Sequence, residues 1–408
     1  MNDIAPSSEL SPPRPVPLTA IVPQVAIVFL GMASVGIPLP VLGAFVHGTL
    51  GFDAVMVGLV VGCQAFATVA TRGLAGTLCD RFGPKRAMLT GLPAASLASL
   101  LYLAALWLPA PPLIRLLVLF AGRLLLGFAE SLFLTGTMTW GITKLGPART
   151  GKVMAWQGIA LYAAFAAGAP VGVAVMAYSG FAAVSLVMMA ASLLAMGIAL
   201  LLPEVAFAPG KRGKEGSFVR VLGLVWRPGI TLALATVPVG AMSAFVALDF
   251  DAHGWARAGL AFTGFGLGFI VVRLLFGHMP DRFGGRVVAL VSLPVLVAGQ
   301  ILTWLAPSEV VALAGTTVTG LGFSLIFPAM GVAAVQTASP AIRGMAVAAY
   351  VAFFDIANGV SGPVCGLAAG FAGYASVFLV GAVASAGALA LVLLAQKPAK
   401  GSGNSIPS

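Results

Sequence analysis

Arg72, Gly76, Asp80, Arg81, Phe82 and Gly83 each recur 201 positions later, as Arg273, Gly277, Asp281, Arg282, Phe283 and Gly284. Lys85 maps onto Arg286 in the same way. A charged turn duplicated inside an otherwise apolar chain implies two homologous halves embedded in a membrane, an architecture typical of transporters. Only 8% of the residues are charged and 60% are hydrophobic, against about 25% charged in soluble domains. So few charges cannot cover a water-facing surface. They suffice in lipid, which solvates apolar side chains. The 51 glycines and 27 prolines agree, since both are commoner in membrane helices.

A membrane helix needs about 20 mostly apolar residues. Twelve such stretches can be placed, at about 20–46, 54–76, 86–108, 114–141, 150–177, 181–202, 229–250, 258–277, 287–306, 309–333, 344–370 and 374–396. The expected fold is an all-α membrane protein of twelve transmembrane helices in two pseudo-symmetric six-helix halves. Its expected parts are a tail at 1–18, a half at 19–202, a linker at 203–228 carrying KRGK at 211–214, a half at 229–396 and a tail at 397–408.

Of the 22 Lys and Arg, three (Arg72, Arg123, Arg273) fall within spans and two (Arg115, Arg257) in segments on one side; the other 17 share a side with both termini. By the positive-inside rule both termini are cytoplasmic. The same placement accounts for the net charge of +10 without a nucleic-acid partner. Residues 1–18 lack the basic start and apolar core of a signal peptide. Cys63, Cys79 and Cys365 have no zinc or redox spacing, so no metal is expected. Gly146 to Lys152 fits a phosphate-loop spacing, but Val153 stands where Ser or Thr would hold magnesium.

The halves match beyond the turn. GAPVG at 168–172 corresponds to GPVCG at 362–366, which pairs Pro170 with Pro363 at an offset of 193. Gly168, Gly172, Gly362 and Gly366 allow close helix approach or bending at those prolines; gating and plain packing both fit. Gly83 and Gly284 supply backbone freedom for tight turns. Asp80 and Asp281 can accept hydrogen bonds from helix N-termini.

Two acids lie well inside spans, Glu130 and Asp355. Glu130 is roughly 24 Å and Arg72 roughly 27 Å from the outer side at 1.5 Å per residue. Their depths agree, so an ion pair between them is expected, and Glu130 is either its structural counter-ion or a protonatable group. Asp355 has no evident basic partner, and Asn358 follows one turn on. A buried carboxyl without a partner takes up a proton readily, so Asp355 is a proton site or a packing group. The repeat sets Tyr162 opposite it. Arg123 lies near mid-membrane. His47, Gln24, Trp140 and Trp156 fit surface or packing roles better than chemistry.

These residues carry a family resemblance. The run G76-TLC-D80-RFG83-PK85-R86 resembles the signature between the second and third helices of the major facilitator superfamily. Gly122-Arg123 followed by Gly127 resembles the fourth-helix signature of its proton-coupled exporters, which assigns that Arg to proton coupling or anion recognition. GAPVG resembles the fifth-helix antiporter signature, with Ala169 in place of Gly. GIPLPVL at 36–42, FVHGTLGF at 45–52, ATRG at 70–73 and GFAESL at 127–132 resemble bacterial arabinose-efflux-like permeases, a subgroup that includes opine-metallophore exporters.

The resemblance covers residues 20–396. It implies that spans 1, 4, 7 and 10 line a cavity, that spans 2, 5, 8 and 11 join the halves, and that Asp80 latches the opposite half. The gating set would be Arg72, Gly76, Asp80, Arg81, Gly83, Lys85, Arg86, Arg273, Gly277, Asp281, Arg282 and Gly284. The expected function is export of a small organic solute in exchange for protons, across a bacterial inner membrane, by a monomer without cofactors. The alternatives are a proton-coupled importer or uniporter of a sugar-like or amino-acid-like solute, or a non-transporting sensor. The three His, at 47, 253 and 278, form no catalytic cluster, so an enzyme is not expected.

Overall fold

The computed structural model describes residues 17–146, 149–205, 218–336 and 343–394. The terminal tails, the KRGK run and the side chains of Arg343 and Gly344 lie outside the described residues. What is described is helical throughout, with no strand. In order the helices are α1 (Val22–Gly36), α2 (Leu39–Ala44), α3 (Ala54–Phe82), α4 (Pro84–Trp107), α5 (Pro112–Leu145), α6 (Thr150–Leu201), α7 (Phe218–Ala252), α8 (Ala258–Phe276), α9 (Met279–Phe283), α10 (Gly285–Trp304), α11 (Glu309–Phe323), α12 (Ile326–Gln336), α13 (Arg343–Ala372) and α14 (Ser376–Leu394).

Among the described residues, eleven helical stretches are long and apolar enough to cross a membrane, with α1 and α2 forming one stretch at Thr19–Thr49 and α11 and α12 another at Glu309–Ala334. The 52 residues of α6 would make a helix about 78 Å long, far beyond a hydrocarbon core of about 30 Å. The helix breaks at Gly180, whose φ of 76° and ψ of −179° suit glycine alone. The two pieces are separate crossings, which gives twelve. α7 starts at Phe218, inside the stretch read as linker.

Each signature turn pivots on a glycine with positive φ, Gly83 at 88° and Gly284 at 82°. Lys85 Nζ then donates to the carbonyls of Leu200 (2.9 Å) and Leu202 (2.6 Å). Arg286 donates in the same way to Leu393, at 3.2 Å. Each cation therefore satisfies carbonyls at the C-terminal end of the last helix in its half, where the helix dipole favours positive charge. Lys85, a member of the expected gating set, thus has its contacts within its own half.

α3 packs along α13, and α6 along α8, so spans 2 and 11 meet and spans 5 and 8 meet. Glycines make the first contact backbone to backbone. A side chain on Gly58 would strike the Gly362 carbonyl, one on Gly62 the Gly359 carbonyl, and one on Gly366 the Ala54 carbonyl. Between α6 and α8, Thr263 Oγ1 donates to the Ala166 carbonyl at 2.7 Å. All these contacts lie toward the end that carries His47 and Asp251. Toward the other end, a side chain added at Gly73, Gly76 or Gly151 would meet nothing within 4 Å. Among the described residues, the close backbone contacts between the halves thus gather at the His47 end.

Gly168 and Gly172 lie against Ile37, within one half. The one residue with non-helical backbone inside α6 is Gly180, not Pro170. The glycines around Pro170 and Pro363 thus sit at close approaches, and the non-helical break in α6 lies at Gly180.

Candidate functional site

A cavity of about 120 Å³ lies between the halves. Its polar lining comprises Gln64 and Thr68 from α3, Arg123 and Glu130 from α5, Tyr162 from α6, Ser243 from α7, and Asp355 and Asn358 from α13. Met32, Val35 and Leu39 of the first span add apolar wall. Spans 1, 4 and 7 contribute as expected. Spans 2, 5 and 11 also reach the cavity, and none of its lining residues comes from span 10.

Glu130 sits where α3 and α5 run almost in contact, because Gly127 lies against the Gln64 carbonyl. At that separation short polar side chains reach across. Gln64 Nε2 donates to Glu130 Oε2 at 2.7 Å, and Thr68 Oγ1 lies 3.4 Å from the same oxygen. Gln64 and Thr68 were not singled out from the sequence; neutral polar residues carry no repeat or charge signal. Arg123 is buried and directs its fork at backbone. Its Nε donates to the Val60 carbonyl at 3.0 Å and a terminal nitrogen to the Val61 carbonyl at 2.7 Å. These bonds stitch α5 to α3, so Arg123 has the contacts of a structural anchor at the cavity edge.

Arg72 does not pair with Glu130. Its terminal nitrogen lies 2.6 Å from Asp355 Oδ2. The expectation that Asp355 lacks a basic partner is corrected by the same contact. Residue spacing gave depth along each helix but not the reach of an arginine across two helices. The pair ties α3 of one half to α13 of the other. The Asp355 side chain is 8% exposed and that of Arg72 37%, so the acid is buried and its partner is partly exposed. Asn358 turns inward on α13, its Nδ2 donating to the Phe354 carbonyl at 3.3 Å.

The contact between α6 and α8 repeats the arrangement with one change. Arg273 on α8 stands where Arg72 stands on α3, and Tyr162 on α6 where Asp355 stands on α13. Tyr162 packs its ring on Phe269, centroids 3.8 Å apart, and the Arg273 guanidinium lies 5.4 Å from the Phe269 ring centre. Among the described residues Asp80, Arg81, Arg86 and Asp281 are exposed. Arg282 is exposed too and lies 5.4 Å from the Phe283 ring. Gly277 lies at the C-terminal end of α8. The latch expected of Asp80 would meet the start of α13, whose first side chains lie outside the described residues. A third buried acid, Asp249, lies near the end of α7, 3.5 Å from His253 Nδ1; its four-residue spacing from His253 was the signal available.

Twelve crossings, a cavity between two halves and charged residues along it define a membrane transport protein. The model of the Major Facilitator Superfamily matches residues 25–256 and 240–407, and the chain belongs to that superfamily as a transporter, not an enzyme. It is 42% identical over 385 residues to an uncharacterised MFS-type transporter of Burkholderia pseudomallei, covering 94% of each chain. Another of Salmonella typhimurium is 40% identical over 357 residues, 88% of this chain and 91% of that one. Among solved structures it resembles a point mutant of the nucleoside transporter NupG, with a TM-score of 0.72 at 17% identity over 92% of this chain and 99% of that one. It also resembles the human organic anion transporter MFSD10, with a TM-score of 0.69 at 15% identity over 94% and 100%. At such identities the likeness is one of fold.

Proposed function

We propose that this transporter exports a small organic solute in exchange for protons by alternating access. The observation that carries the reading is the Arg72–Asp355 ion pair, which crosses between halves at the edge of the cavity. Protonating Asp355 removes the charge that holds Arg72. That loosens the tie between α3 and α13 and shifts the equilibrium between the two openings, because the proton binds one arrangement better than the other. Glu130, held by Gln64 and Thr68, is the second acid a proton or solute can reach. A cavity of about 120 Å³ is below the size of ordinary ligand pockets, about 300–1,000 Å³. A solute of ordinary size therefore needs this cavity to widen as the halves move.

The test uses inverted vesicles with an imposed proton gradient and a panel of labelled solutes. Once a transported solute is found, Asp355→Asn is expected to exchange it down its own gradient but not to accumulate it. Glu130→Gln is measured alongside. Normal accumulation in Asp355→Asn with failure in Glu130→Gln moves coupling to α5, and accumulation indifferent to the proton gradient in the wild type removes proton exchange altogether.

The proposed setting is a bacterial inner membrane with the signature turns and both termini cytoplasmic, following the placement of Lys and Arg. In a cysteine-free background, Asp251→Cys should react with an impermeant thiol reagent added to whole cells. Glu204→Cys, at the opposite end, should not. The reverse pattern inverts the orientation.

A further inference from the structure

Of the two matched arginines, Arg72 has an acid across the contact between halves, Asp355, and Arg273 has none. Arg273 makes no hydrogen bond or ion pair among the described residues, and its Nε is buried without a partner. No acid occurs in α6, α8, α12 or α13 apart from Asp355, and the one acid of α11, Glu309, is engaged by Arg257 at 2.7 Å. The titratable groups close enough to feel the Arg273 charge are Tyr162 and Tyr350, and the Tyr350 hydroxyl already donates to the Phe327 carbonyl at 2.6 Å. Gly158 of α6 leaves room beside the guanidinium among the described residues. A side chain on Gly158 would meet only an Arg273 terminal nitrogen, at 3.5 Å. A guanidinium at membrane depth without a counter-charge is costly, and such a group marks a ligand pathway more often than a packing role.

We propose that Arg273 is the anion-binding residue of the transported solute, and that the solute bears a carboxylate which takes, against Arg273, the place Asp355 takes against Arg72. The assignment rests on the transport reading above and adds the substrate class. The carboxylate sits beside Gly158, where the planar fork can hold it by two hydrogen bonds. An apolar body then extends toward Leu161, Phe165 and Phe354, which line the cavity next to Tyr162. Only an anion balances the site. A neutral solute leaves the guanidinium bare and a cation is repelled.

Binding to the purified full-length protein tests this without a gradient. The probes are phenylacetate, the neutral 2-phenylethanol, the cationic phenethylammonium and sodium chloride, read as shifts in thermal midpoint. Phenylacetate is expected to stabilise the wild type and the other three are not. Arg273→Gln should weaken phenylacetate binding at least about tenfold, the loss of a charged hydrogen bond. Arg273→Lys should retain part of it, since it keeps the charge but not the fork. Tyr162→Asp should abolish the phenylacetate shift with Arg273 intact, because the new carboxylate completes the pair internally. Lys152→Gln, an exposed cation at the same end, should leave the shift unchanged. Three results overturn the assignment: no phenylacetate shift in the wild type, an undiminished shift in Arg273→Gln, or an equal shift with chloride. Loss of proton coupling with this binding intact would count against the exchange reading alone.

Discussion

Asp355→Leu is expected to lower the yield and thermal midpoint of the purified protein sharply, and Arg72→Leu added to it should restore both. The carboxylate is buried and lies 2.6 Å from its partner. Removing one member of a buried pair strands the other, at a cost of about 3–5 kcal/mol. The lower end applies here, since Arg72 is partly exposed to water that screens it. Leucine on both sides removes the stranded charge and leaves apolar side chains in an apolar setting. The control is Glu130. Arg72→Leu with Glu130→Leu should show no such recovery, because Glu130 is held by Gln64 and Thr68 rather than by Arg72. Recovery with Glu130 and not with Asp355 would restore the pairing that helix depth alone suggests. Restored folding without restored transport in the Arg72–Asp355 double variant is expected, since the pair that responds to the proton is gone.

Much of the architecture was legible because it rests on one-dimensional signals. Span length and a turn repeated at a fixed offset depend on position along the chain. Even the break at Gly180 fell between the fifth and sixth expected spans. The site was less legible because its contacts depend on rotation about each helix axis and on side-chain reach. Arg72 and Glu130 share a depth, yet the Arg72 guanidinium ends on Asp355 of the other half, so equal depth pointed to the wrong acid. Lys85 is legible as part of the signature turn, but the reach of its amine to the end of α6 in its own half is not. The correspondence of Tyr162 with Asp355 could be read from two offsets, and it gained meaning only when Asp355 was found against Arg72. Gln64 and Thr68 left no trace in the sequence; their role follows from the backbone approach that Gly127 permits.

That approach of backbones also sets the other large effect. Gly58→Val is expected to open the His47 end of the molecule. Its Cβ would strike the Gly362 carbonyl and come within 2.9 Å of the Pro363 nitrogen. Those atoms are backbone and cannot rotate away, so α3 and α13 must separate. Overpacking of this kind costs about 1–3 kcal/mol. The state closed at this end carries the whole cost and the state open there carries little, so the ratio of the two moves by roughly 5- to 150-fold. A cysteine at Ser243, which lines the cavity from α7, should become reactive to a reagent added from the His47 side, and transport should slow because one opening is now disfavoured. Gly91→Val separates gating from ordinary packing. Its Cβ would come 2.8 Å from the Ala129 carbonyl, but between α4 and α5 of a single half. It should lower the thermal midpoint without changing access at residue 243. If Gly58→Val lowers the midpoint as Gly91→Val does and leaves access unchanged, the glycines of α3 and α13 are packing residues and the seal between halves must be held elsewhere.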